Sequence, residues 1–131
     1  MKTPAILSVL LAVAACSDPA PRQEPVGQQQ RKVVDDATAA YAACIDNGAK
    51  TVPLSDAQPG DVVAKIVESC KPQRDALVTA IEDFNQIGYP NRSADQLAAV
   101  AEGSIQAIEP SLRADAVGIY VGRVADAQKG K

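Results

Sequence analysis

From residue 31 onward the apolar residues recur at the spacing of an α-helix, and this periodicity restricts the fold more than any other feature. Val34, Ala37, Tyr41, Cys44, Ile45 and Gly48 lie on one side of a helix with 3.6 residues per turn. Asp35, Asp36, Thr38, Asp46 and Asn47 fall on the opposite side. The spacing predicts a first helix over about residues 32–50. The stretch 51–59, TVPLSDAQP, holds two prolines and several turn formers and reads as a loop.

A second helix is expected to start near Pro59-Gly60-Asp61, because proline is tolerated in a first turn. Its apolar side is Val63, Ile66, Val67 and Cys70, and beyond Pro72 the same side continues through Leu77, Val78, Ile81 and Phe84. Cys70 and Leu77 are two turns apart, so the phase is kept across the proline. Either one helix kinks at Pro72 or two helices meet end to end there. The run Gly88-Tyr89-Pro90-Asn91-Arg92 is a break, and Ser93-Ala94-Asp95-Gln96 has the form of a capping box. A fourth helix follows with Leu97, Val100, Ala101, Ile105 and Ile108. Pro110-Ser111 is expected to break or bend it before a fifth with Leu112, Val117, Tyr120, Val121 and Val124. The last residues, from Gln128, are expected to fray. No strand is predicted.

The fold class is therefore all-α: a small antiparallel helical bundle over residues 31–131, with short loops joining antiparallel neighbours. The domain is large enough for a modest core. That core is built from Ala, Val, Leu and Ile, since the chain holds one Phe, three Tyr and no Trp.

The N-terminus has a different character. Lys2 is followed by an apolar run from Pro4 to Ala14, about half the length of a membrane-spanning helix. The run has the dimensions of a signal-peptide apolar region. It ends in Val13-Ala14-Ala15-Cys16, which resembles the lipobox of bacterial lipoprotein precursors: an aliphatic residue, two small residues, then cysteine. The resemblance implies that residues 1–15 are a signal peptide and that the Cys16 thiol receives a diacylglyceryl group. The mature chain would then be anchored to a membrane through acyl chains without spanning it. Ser17 in the position after the cysteine implies the outer membrane, facing the periplasm, under the enteric sorting rule. Residues 16–30, with prolines at 19, 21 and 25 and four glutamines, read as a lipidated cysteine followed by an extended tether.

In that compartment Cys44 and Cys70 remain as an even pair, and a disulfide between them is expected. A redox dithiol would show a C-x-x-C spacing, which is absent. Two thiols in a chain without histidine make a poor metal site. No metal and no cofactor are expected. Removing residues 1–15 takes away one charge, Lys2, and moves the formal net charge from −3 to −4. No basic patch is visible, so nucleic acid is not an expected partner.

No catalytic residue is predicted. There is no G-x-S-x-G, no Walker loop and no H-E-x-x-H. The acidic pairs Asp35-Asp36 and Glu82-Asp83 are sequence neighbours, and neighbours on a helix point about 100° apart. They read as solvated faces. Two features are candidate interaction sites. Gly118 and Gly122, with Ala114 a turn earlier, form a small-residue stripe; it serves a partner helix or tight packing inside the domain. Tyr89 and Arg92 lie in the 88–92 break, where a tyrosine and an arginine can anchor an interface or the tyrosine can pack on the core edge.

The mature part, with Tyr41-Ala42-Ala43-Cys44 answered by Ser69-Cys70, is similar to small secreted helical proteins of proteobacteria of unassigned role. That likeness brings no functional residues with it. The expected function is a non-catalytic structural or protein-interaction module with an unknown envelope partner. The alternative is a binding protein for a small apolar ligand held between helices. A carboxylate-dependent envelope enzyme is the third class.

Overall fold

The computed structural model describes residues 26–130. Cys16, the signal segment 1–15 and residues 16–25 of the tether lie outside them. Four helices account for nearly all of the described chain: α1 (Val26–Thr51), α2 (Pro59–Ser69), α3 (Lys71–Gly88) and α4 (Ala94–Lys129). No strand occurs among the described residues.

The helix α1 starts at Val26, not near residue 32, so the end of the stretch expected to be an extended tether is helical. The last proline of that stretch is Pro25, and the following Gln-Gln-Gln-Arg run consists of good helix formers. At the other end, Val52 N–H bonds the Gly48 carbonyl at 2.8 Å and Pro53 then stops the helix. The residue before a proline is pushed out of the α region.

The α2–α3 junction is a single residue. Cys70 has φ −88° and ψ 12°, its N–H reaches the Ile66 and Val67 carbonyls, and its own carbonyl accepts from Gln73 and Arg74. Pro72 sits in the first turn of α3, where a missing N–H costs little. Of the two arrangements open from the sequence, the chain adopts two helices meeting end to end. The phase is kept, since Cys70 and Leu77 are both buried.

The expected break at Pro110 does not occur, and the fourth and fifth predicted helices are one 36-residue helix. Proline removes one N–H, which orphans the Gln106 carbonyl. Gln106 and Pro110 are both exposed, so that carbonyl faces water. On either side Ala101, Ile105, Ala116 and Tyr120 enter the same core, and their burial offsets the local penalty of about 3 kcal/mol. The Ser93 capping box forms as expected: Gln96 N–H donates to Ser93 Oγ, and Ser93 N–H donates to Gln96 Oε1.

The rods run up, down and up. In α1, Cys44 meets Cys70 and Arg31 meets Phe84, so α1 is antiparallel to the α2–α3 pair. The contact of Arg74 with Glu102 brings α4 back against α3. Fully or nearly fully buried Tyr41, Ile45, Val63, Leu77, Ile105 and Tyr120 form the centre. Gly48 lets α1 and α2 approach: a methyl group there would overlap Ile66 Cγ2. One helical turn away, Cys44 and Cys70 close the α1–α2 seam as a disulfide, with S–S 2.04 Å and Cα–Cα 5.9 Å.

Candidate interaction surfaces

The helix α4 supplies the side chains that hold the bundle in register. Tyr41 Oη donates to Glu109 Oε1 at 2.8 Å, and Arg113 Nη2 approaches the same oxygen at 3.5 Å. Burial first, and then the Glu109 carboxylate, push the Tyr41 hydroxyl up to about 12 from its usual 10.0. Arg74 Nη2 donates to Glu102 Oε1 at 2.6 Å. This ion pair and the Tyr41–Glu109 bond lock α4 across both other rods. Toward the opposite end, Tyr120 Oη accepts from Ser55 N–H at 3.0 Å. Arg123 Nη1 donates to the Ala49 and Val52 carbonyls at 2.8 Å each. A cation at the last carbonyls of α1 satisfies orphan acceptors and opposes the helix dipole.

The sequence places Tyr120 on an apolar side but assigns no role to Glu102, Glu109, Arg113 or Arg123. The available signal was the spacing of Glu102, Glu109 and Arg113 by seven and four, which puts all three on one side of a helix. That pattern was divided by the expected break at Pro110.

The carboxylates do not converge. Asp35 and Asp36 are exposed, with Asp36 bound to Lys32 at 2.6 Å, and Glu82 is half-buried and Asp83 exposed. Among the described residues no group of three or more His, Cys, Asp or Glu could hold a metal ion. No described helix is long and apolar enough to cross a membrane.

The glycine stripe lies on the outside. Ala114, Gly118 and Gly122 are exposed, and a methyl group added at Gly118 or Gly122 would meet nothing within 4 Å among the described residues. The alternative of tight packing inside the domain is thereby overturned: α4 turns this side away from α1, α2 and α3. Val121 lies beside the stripe, 45 % exposed. Tyr89 is exposed too, against the expectation of packing on the core edge. Its ring carries the Arg92 guanidinium 4.0 Å from the centroid, and Ile87 is exposed beside it. The turn that holds them is hydrogen-bonded: Tyr89 N–H to the Asn85 carbonyl, Arg92 N–H to the Tyr89 carbonyl, and Gln86 Nε2 to the Pro90 carbonyl.

Between α1 and α4 runs an open groove of about 320 Å³ lined mainly by Ala42, Ala43, Leu112, Ala116 and Ile119. No protein-family model, curated protein or solved structure matches the chain.

Proposed function

We propose that the chain is a lipid-anchored envelope protein that acts as a non-catalytic structural or protein-interaction module. Acyl chains on Cys16 hold it to the periplasmic face of the outer membrane. The motif Val13-Ala14-Ala15-Cys16 supports the anchoring part. The interaction part is carried by one observation. Two glycines a turn apart occupy the interior of a long helix, face open space, and have no close neighbour among the described residues. Each destabilises the helix by roughly 0.5–1 kcal/mol relative to alanine. A flat side free of Cβ atoms lets a second helix backbone approach closely, which gives those glycines a physical reason.

The test is site-specific photocrosslinking from Val121 in the native membrane, with a Gly118→Leu partner variant. The reading predicts a discrete adduct from Val121 that the leucine removes while the fold is unchanged. An adduct pattern indifferent to Gly118→Leu contradicts it.

The α1–α4 groove supports a second reading, a small apolar ligand laid between helices. Its volume is at the lower end for ligand sites, about 300–1,000 Å³. Native mass spectrometry of protein taken gently from its membrane separates the two: a retained small molecule, lost in an Ala116→Phe variant, favours the ligand.

A further inference from the structure

The point where the chain enters the bundle and the most apolar exposed tip of the bundle coincide. The α1 helix begins at Val26 beside the end of α3. Arg31 lies over the Phe84 ring at 5.9 Å, and Gln30, Asp83, Gln86 and Ile87 line one shallow depression. Ile87 is 47 % exposed and Tyr89 54 % exposed. Of the other large apolar side chains exposed among the described residues, Val33 lies two turns into α1 from this same end, while Leu54 and Val121 lie toward the opposite end of the bundle. Arg92 stacks on the Tyr89 ring and places a cation at the same tip.

Covalent reach favours one end of the bundle for contact with a bilayer that holds Cys16. Val26 lies ten positions beyond Cys16, and a fully extended chain of that length spans at most about 35 Å. The 26-residue α1 rises about 39 Å. Standing on the opposite end, with Leu54 in its loop, would therefore need almost the whole linking segment to be fully extended. The Ile87–Arg92 end is always within reach.

We propose that the Ile87–Tyr89–Arg92 tip rests on the lipid surface that carries the anchor. This rests on the lipid-anchor reading of Cys16. An isoleucine and a tyrosine suit the boundary between headgroups and acyl chains, where tyrosine keeps its hydroxyl in water. The Arg92 guanidinium can turn to lipid phosphates while its stem stays on the ring. The acyl chains supply the affinity and the tip sets orientation. With the tip down, α4 stands upright and its glycine stripe is carried away from the membrane. Gly118 is 24 residues above Ala94, about 36 Å along the helix.

The chain contains no tryptophan, so one substitution gives a unique fluorescent reporter. Three variants of the lipidated full chain are compared: Tyr89→Trp at the tip, Leu54→Trp at the opposite end and Val121→Trp beside the stripe. Each is placed in phosphatidylethanolamine–phosphatidylglycerol vesicles, with plain acyl chains or with acyl chains brominated near the carbonyl. Flotation is scored first. The proposal predicts that all three float. Only Tyr89→Trp should be blue-shifted and lose emission in the brominated vesicles. Floating chains whose Tyr89→Trp emission is the same in both vesicles overturn the tip and leave the anchor standing. Quenching of Val121→Trp shows the domain lying on α4 and overturns the tip as well. Chains that do not float overturn the anchor reading and this proposal with it.

Discussion

The Tyr41 hydroxyl donates to Glu109 Oε1 at 2.8 Å across 68 residues of sequence, and it does so from a side chain with no exposed surface. Removing the hydroxyl leaves a largely buried carboxylate with only Arg113 and a little solvent as partners. A Tyr41→Phe variant should lose about 1.5–2 kcal/mol, the lower part of the range for a hydrogen bond to a charged group. Urea unfolding at neutral pH measures it.

Burial of the Tyr41 hydroxyl, and then this bond, set a pH response. The Tyr41 hydroxyl is raised from 10.0 to about 12 in the folded chain. The unfolded chain therefore releases this proton first as the pH rises. The stabilisation is complete below pH 10.0 and declines as the pH climbs toward about 12. Unfolding curves across that window should show a steeper loss for the wild-type chain than for Tyr41→Phe.

Glycines in the two settings should respond in opposite directions. Gly118→Ala and Gly122→Ala enter open space and should each stabilise by about 0.5–1 kcal/mol. Gly48→Ala drives a methyl group into Ile66 and should destabilise by about 1–3 kcal/mol, as overpacking does. Thermal melts of the three single variants decide this.

Much of this architecture was legible beforehand, for identifiable reasons. The stripe from Val34 to Gly48 has unbroken helical spacing, and the structure buries Tyr41 and Ile45 from it. The antiparallel hairpin followed from a short loop, and Cys44 and Cys70 meet across its seam. Proline was the source of error. Its local cost at Pro110 was visible, but the burial of Ile105 and Tyr120 on either side, which outweighs that cost, is a tertiary quantity. Reading a break there also hid the polar side of α4. The outward placement of Gly118 and Gly122 was undecided because small residues fit a buried seam and an open face equally well. Which side of α4 meets α1 depends on Arg123 and Tyr120, whose partners are the backbones of residues distant in sequence.

The disulfide should contribute substantially. In the chain-entropy description, closing a loop with a 26-residue separation gives about 3.5 kcal/mol. Reduction, or paired Cys44→Ala and Cys70→Ala changes, should lower the midpoint of urea unfolding accordingly. Thiol labelling of the native protein without reductant should find neither cysteine free. Two reactive thiols would contradict the bond.

Arg123 holds the end of α1 through the Ala49 and Val52 carbonyls. An Arg123→Met variant keeps most of the stem and returns both carbonyls to water. It should cost about 1–2 kcal/mol. Hydrogen exchange should quicken first at the end of α1 and in the loop that carries Ser55.

The most direct measurement is intact mass spectrometry of the protein isolated from its native membrane, beside a Cys16→Ser variant. The account predicts a chain that begins at Cys16 and carries a diacylglyceryl mass, with both features lost in the variant. A chain that begins elsewhere, or that begins at Cys16 without lipid, contradicts the membrane anchor on which the proposed function and the orientation of the bundle both depend.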